Sequence, residues 1–152
     1  MTNFDPILGA GFLTALQKFV NVTKLHPVLV NFTAALVPVS VFSDFIGRVV
    51  KIESLRHTAW WTLFYAIAIT PFTAITGWLF WMPDDSGVTG MTIHKWLGTG
   101  LAALLFVLFA WRWKLHRQAR WATISYLVVG VIFVAALVYQ GHLGGEQVFS
   151  GM

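Results

Sequence analysis

The chain has 152 residues, of which 57% are hydrophobic and only 11% are charged, and its formal net charge is +4. Soluble domains carry about 25% charged residues, so this composition excludes a water-soluble globular protein and indicates a membrane protein. The absence of cysteine excludes disulfides, thiolate metal sites, cysteine-bound iron–sulfur clusters and covalently attached c-type haem. The N-terminus lacks a basic segment followed by an apolar core, so we expect no cleaved signal peptide.

The sequence pattern of residues 1–24 predicts an N-terminal tail and an amphipathic helix that lies on the membrane surface. Asp5-Pro6 is a typical helix start, with a capping residue followed by proline at the first helical position. Apolar residues then recur at helical spacing: Leu8, Phe12, Ala15 and Phe19. The polar residues Gln17, Lys18 and Asn21 lie at other positions of the helix, as in interfacial helices. A partly ordered tail is the alternative for this segment.

The apolar pattern of residues 25–149 predicts a transmembrane domain that is an antiparallel bundle of four helices. Four apolar segments reach the roughly 20 residues that a bilayer crossing needs, and a helix satisfies its own backbone in lipid. The predicted spans are residues 26–47, 58–81, 93–113 and 121–141. All eight tryptophans lie near span ends, as in the aromatic belts of membrane proteins. The expected fold class is therefore an all-α membrane protein with an interfacial N-terminal helix.

Basic residues are concentrated on one side of the predicted bundle. The connections between spans one and two and between spans three and four, with their flanks, hold seven of the ten Lys and Arg residues: Arg48, Lys51, Arg56, Arg112, Lys114, Arg117 and Arg120. The positive-inside rule places this side in the cytoplasm. We expect a multi-pass protein of the bacterial inner membrane with both termini in the periplasm. The positive charge thus reflects membrane orientation, and we expect no nucleic-acid partner.

Three of the five histidines fall at one predicted depth near the outer face: His26, His94 and His142. Neutral imidazole is a common metal ligand and an axial ligand of haem iron. In an up-down-up-down square bundle, spans one and three are diagonal, and their axes are about 14 Å apart if neighbouring axes are about 10 Å apart. That separation suits the two faces of a porphyrin. We predict that His26 and His94 bind haem b, with His142 beside them or replacing one.

Other interpretations of these histidines remain open. The three residues could bind zinc or copper, with Glu146 as a fourth group, or they could be interfacial side chains without a cofactor. His57 and His116 form a second pair on the inner side. This inner pair is interpreted either as a further haem site or as part of a solvated loop.

Asp44 is the only acidic residue inside a predicted span. Helical geometry places it on one polar stripe of the first span, which should face the bundle interior. The stripe consists of His26, Thr33, Ser40 and Asp44. Intramembrane carboxylates are costly and usually functional. We interpret Asp44, together with His57, as a proton-uptake site or support for an inner cofactor; alternatively, Asp44 is structural and pairs with Arg48, Arg56 or His57.

Short motifs run through residues 25–149: "LHPVLVNFTAALVPVSVFSDFIG", "TGWLF", "TIHKWLG" and "GHLGGEQVF". With them the sequence resembles a bacterial membrane family catalogued as domain of unknown function 2231. The matching residues are His26, Pro27, Asp44 and the segment from Gly141 to Gly145. The sequence departs at "VNFT", where the family more often has proline after the phenylalanine. The resemblance implies four spans and no settled activity, and related domains joined to cytochrome c-like or Rieske-like modules favour periplasmic electron transfer.

The sequence therefore favours a small b-type haem protein that passes electrons between a periplasmic redox partner and quinone or a larger membrane complex. It contains no nucleophile–base arrangement, phosphate loop or HExxH motif. We expect an electron carrier or a subunit rather than a stand-alone enzyme. A homo-oligomer is a further alternative for its assembly. The alternatives are a non-catalytic accessory subunit of a respiratory or photosynthetic membrane complex, and a periplasmic-side protein that binds copper or zinc.

Overall fold

The computed structural model describes residues 6–80 and 89–149, and this part of the chain folds into five α-helices. They are α1 (Pro6–Thr23), α2 (Leu25–Val50), α3 (Glu53–Phe80), α4 (Thr89–Arg117) and α5 (Ile124–Phe149). Helices α2 to α5 are long and apolar enough to cross a membrane, and the described ranges contain no β-strand. The predicted all-α membrane protein with four spanning helices is confirmed, and its outer surface contacts the lipid bilayer.

The four spanning helices are arranged as an antiparallel square. Helix α2 packs against α3 and α5, and α4 packs against the same two helices. Between α2 and α4 there is no close backbone contact in the described ranges, so these two helices occupy diagonal corners. We call the end formed by the starts of α2 and α4 the histidine end, and the opposite end the basic end.

All four spanning helices extend beyond at least one predicted span limit, and two of the extensions concern histidines. Helix α5 continues through "GHLGGEQVF" to Phe149 instead of ending at Gly141, and α4 already begins at Thr89. Glycine lowers helix stability by roughly 1 kcal/mol relative to alanine, but tertiary packing overrides this preference. The packing here includes Leu143, which is buried. Both His94 and His142 therefore lie within helices rather than at their ends.

Helix α1 begins at Pro6, as the sequence predicts, whereas Asp5 lies outside the described residues. The helix packs against α2 and α3, and Val20 in its second half is buried. Phe12 and Phe19 stay exposed on the surface of the helix. An apolar face of α1 is therefore available for contact with lipid, as an interfacial helix requires.

The turn between α4 and α5 depends on a left-handed residue, Ala119, with φ 51°. The N–H groups of Ala119 and Arg120 donate to the carbonyls of His116 and Leu115, both at 3.0 Å. This is the Schellman pattern, in which glycine usually holds the left-handed position. Alanine there costs about 1 kcal/mol because its Cβ approaches the following carbonyl oxygen.

We expect Ala119→Gly to raise the free energy of unfolding by up to about 1 kcal/mol, because glycine adopts this φ without steric cost. Ala119 is exposed, so the change removes no buried contact. Thermal unfolding in detergent measures the difference. The matched control is Ala110→Gly, at an exposed position inside α4, which should lower stability by a similar amount. Destabilisation by both changes would contradict strain at Ala119.

Candidate functional site

A cavity of about 560 Å³ lies between the spanning helices at the histidine end. Its volume is within the range of roughly 300–1,000 Å³ that is typical of ligand and cofactor pockets. Apolar side chains form much of its wall, including Leu101, Leu105, Phe133 and Leu137. Its polar lining includes His26, His94, Gln140, Lys24 and Lys95. Such a cavity suits a largely apolar ligand that also carries polar groups.

His26 enters this cavity from the first turn of α2 and is held by the neighbouring helix α3. Its Nδ1 donates to the carbonyl oxygen of Thr73 at 3.1 Å. A carbonyl can only accept, so the proton of a neutral His26 ring is on Nδ1 and the lone pair is on Nε2. Gly77, one turn after Thr73, makes room for the ring, because a Cβ there would lie 2.8 Å from its Cε1 atom.

His94 is held in the same way by the other pair of neighbouring helices, α4 and α5. Its Nδ1 donates to the carbonyl oxygen of Gln140 at 3.0 Å. Gly144, again one turn later, leaves space for the ring, because a Cβ there would lie 2.6 Å from Cε1 of His94. The neutral His94 ring therefore also carries its lone pair on Nε2, and the amide nitrogen of Gln140 lies 3.3 Å from that atom.

The two histidine rings face each other across the diagonal of the bundle. Their centres are 6.4 Å apart and their planes are nearly perpendicular, at 86°. Two imidazoles on opposite sides of one metal atom, each with a metal–nitrogen distance of about 2.0 Å, have ring centres about 6 Å apart. The observed separation of the ring centres is close to this value.

His142 does not join this pair, although its neighbours Gln140 and Gly144 both contact His94. Its side chain is 66% exposed and pairs with Glu146 one turn later, at 3.2 Å. Residues 140 and 142 point about 200° apart on a helix, so Gln140 faces the cavity and His142 faces away. Across the described residues, no three His, Cys, Asp or Glu side chains lie close enough to hold a metal ion. The zinc or copper site with Glu146 as fourth group is therefore not assembled.

Gln140 is the site residue that the sequence analysis missed. It is buried, and on α5 it shares a face with Phe133, Leu137 and Gly144, which follow helical spacing. The predicted span, residues 121–141, already contained Gln140, but no partner for it could be read from the sequence. Only Gly144 of this face lies beyond the predicted span.

At the basic end, Asp44 pairs with Arg112 of α4 in the interior of the bundle. Arg112 donates from Nε and Nη2 to the two carboxylate oxygens, at 2.7 and 2.9 Å, and both side chains are fully buried. Arg112 also donates to the carbonyl oxygen of Arg56 on α3 at 3.1 Å. The predicted partners of Asp44, namely Arg48, Arg56 or His57, were therefore wrong. The sequence pattern had assigned Arg112 only to the basic flank.

The polar stripe of α2 faces the interior, as its spacing predicts. Thr33, Ser40 and Asp44 are all buried, and the Ser40 hydroxyl donates to the carbonyl oxygen of Ala59 at 2.7 Å. Hydrogen-bonded or paired polar groups such as those of Ser40 and Asp44 tie helices together in an apolar environment. Ser40 and Asp44 therefore have a structural role, whereas His26 and Thr33 line the cavity.

The inner histidine pair lies near the surface of the basic end. The side chain of His57 is 52% exposed and lies 3.7 Å from a carboxylate oxygen of Glu53. The His116 ring stacks on Trp60 at 4.3 Å, and its centre is 6.3 Å from that of His57. His57 is thus half-exposed at the edge of this cluster, whose Trp60 is buried, and does not share the buried position of Asp44.

We expect Gly144→Ala to disrupt the histidine end, because the added Cβ would overlap the His94 ring. The free energy of unfolding should fall by roughly 1–3 kcal/mol, as for other overpacked positions. Gly145→Ala is the matched control, since a Cβ there meets nothing within 4 Å, and it should leave stability unchanged or raise it. Denaturant unfolding of both variants measures the contrast, and equal stability would contradict the close approach at Gly144.

We expect Asp44→Leu or Arg112→Leu alone to lower the free energy of unfolding by about 3–5 kcal/mol, because each leaves one buried charge unpaired. The double variant should be more stable than either single variant, because both charges are removed. Arg117→Leu, at an exposed position of the same helix, controls for loss of a basic residue. Additive losses in the double variant would show that the two side chains are not coupled.

One protein family matches most of the chain, including the whole transmembrane bundle. Residues 23–151 match the family described as predicted membrane protein, DUF2231. This range contains all four spanning helices and both cavity histidines. No curated protein and no solved structure gave a significant match. The chain belongs to the DUF2231 family of predicted membrane proteins.

Proposed function

We propose that the chain is a small b-type haem protein of the bacterial inner membrane, with His26 and His94 as the axial ligands. It passes electrons between a periplasmic redox partner and quinone or a larger membrane complex. The observation that carries the proposal is the pair of imidazoles on diagonal helices, with ring centres 6.4 Å apart. Each ring is held at Nδ1 by a backbone carbonyl of a neighbouring helix.

The hydrogen bonds of the two rings suit iron ligation. Histidines that bind metals usually donate their other ring N–H to a carbonyl or carboxylate, which fixes the tautomer and orientation of the ring. His26 and His94 have this arrangement, so Nε2 is the ligating atom of each. The Gln140 amide lies 3.3 Å from Nε2 of His94. Its side chain must turn aside for ligation, which requires only rotation about single bonds.

The cavity lining suits the two chemical parts of a haem. Apolar residues such as Leu105 and Phe133 offer a dry surface for the macrocycle. Lys24 and Lys95 also line the cavity, and their ammonium groups can pair with propionate carboxylates. Lys95 already lies over the Trp78 ring, 3.5 Å from its centroid, so its charge is held at the edge of the site. A bound haem would supply reversible one-electron transfer.

The position of the pair in the bundle favours exchange of electrons with a partner outside the cytoplasm. His26 and His94 lie near the starts of their spanning helices, at the end opposite the basic connections. The positive-inside rule assigns this histidine end, and with it both termini, to the periplasmic side. A redox protein in the periplasm could then approach the cavity without crossing the bilayer.

We expect the protein, purified in mild detergent after expression with ample haem, to show a b-type reduced-minus-oxidised spectrum. His26→Ala and His94→Ala should each abolish the six-coordinate spectrum, because each removes one ligand. His142→Ala is the matched control and should retain it, since that side chain points away from the cavity. Carbon monoxide should leave the reduced wild type unchanged but bind any haem kept by the two ligand variants.

Several results would contradict this assignment. Protein without visible absorption, despite an ample haem supply, would exclude the haem. Stoichiometric copper or zinc in such protein would favour the metal-binding alternative, and co-purification with larger membrane partners would favour an accessory subunit. Loss of the spectrum in His142→Ala to the same extent as in His26→Ala would show that the ligands were assigned incorrectly.

A further inference from the structure

We propose that a cleft at the start of α5 binds the phosphate headgroup of an anionic phospholipid in the leaflet at the basic end. The cleft is formed by the end of α2, the α4–α5 turn and the first turn of α5. Its lining includes Arg48, Arg120, Trp121, Thr123 and Ser125. This site lies at the opposite end of the bundle from the histidines and does not depend on the proposed haem.

The cleft presents fixed positive charge. The Nη1 atom of Arg48 donates to the carbonyl oxygen of Ala122 at 2.8 Å, which holds the guanidinium in place. An arginine has five N–H donors, so most of them remain for a ligand. Arg120 is exposed beside it. Guanidinium groups are well suited to phosphate because they form paired, charge-assisted hydrogen bonds.

Further cations surround the same position, whereas acidic groups do not line it. Lys51 Nζ and the Arg56 guanidinium lie 5.6 and 5.7 Å from the centre of the Trp121 ring. The carboxylate of Glu53 pairs with Arg56. No carboxylate occurs among the described residues that line the cleft. An anion bound there would therefore be attracted without an opposing charge in the lining.

The first turn of α5 adds oriented dipoles to these charges. The Thr123 hydroxyl accepts from the Tyr126 N–H at 3.2 Å, which makes Thr123 the N-cap of the helix. The N–H groups of Ile124 and Ser125 belong to the first turn, where a helix has no acceptor of its own. Helix N-termini favour anions for this reason. The dipoles reinforce a site that the two arginines and the concave surface already define.

The location of the cleft identifies a lipid rather than a soluble phosphate as the ligand. Helix α5 has 26 residues and is about 39 Å long, close to the full bilayer thickness of roughly 40–45 Å. Its first turn therefore lies at headgroup depth, together with Trp121. Beyond the cleft, an exposed apolar stripe runs along α5 through Ile124, Val128 and Val131. Acyl chains can lie on this stripe, and basic pockets between spanning helices bind anionic lipids elsewhere.

Native mass spectrometry of the full chain tests the proposal, with equimolar phosphatidylglycerol and phosphatidylcholine added in detergent. We expect preferential retention of one phosphatidylglycerol. Arg120→Gln should reduce retention about fivefold, as for one basic residue near a lipid headgroup, and Arg48→Gln/Arg120→Gln should abolish it. Arg120 has only a 3.5 Å contact with Gln118, so its single variant should fold even if loss of Arg48 destabilises the turn.

The matched control is Lys114→Gln/Arg117→Gln, which removes two charges at the same end but outside the cleft. It should retain phosphatidylglycerol like the wild type. Equal losses in the control and in the cleft variants would overturn the proposal, because general electrostatic attraction would then suffice. Equal retention of phosphatidylcholine would also overturn it. Binding of inorganic phosphate alone, with displacement of the lipid, would reassign the cleft to soluble phosphate.

Discussion

The buried ion pair between Asp44 and Arg112 joins two diagonal helices that make no close backbone contact in the described structure. An unpaired charge in an apolar interior costs several kcal/mol, so this contact fixes the rotation of α2 and α4 about their own axes. Eighteen residues separate His26 from Asp44, and eighteen separate His94 from Arg112. Because this spacing equals five helical turns, the rotation that brings the two charges together also turns both histidines towards the same axis.

The histidine end is built from two similar helical hairpins. In α2–α3 and again in α4–α5, a histidine donates to a carbonyl oxygen of the second helix. In both hairpins a glycine one turn further along makes room for the ring. The repeat holds two equivalent imidazoles on opposite sides of one cavity. Since the anchors are backbone atoms within regular helices, ring positions are set by the bundle itself and do not depend on mobile side chains.

The two ends of the bundle satisfy their polar groups differently, and an apolar layer lies between them. Val37, Leu63 and Leu105 are almost completely buried at mid-height. The basic end closes its interior with the ion pair and stacked aromatic rings, whereas the histidine end keeps an open cavity. This layer lies between the ion pair and the cavity, and its Leu105 is part of the cavity wall.

The amino-acid sequence alone determined the four spans, their helical state and the inward face of α2, because lipid permits few alternatives for an apolar chain. Common depth singled out three histidines as candidate ligands, and an assumed square bundle placed His26 and His94 on diagonal spans. The partner of Asp44 and the exclusion of His142 depended on how each helix is rotated in the bundle. Sequence spacing gives the angle between two side chains around one helix. It does not give the rotation of that helix relative to its neighbours. The close approach of Gly144 to His94 further required α5 to continue past Gly141, which packing rather than local helix preference decided.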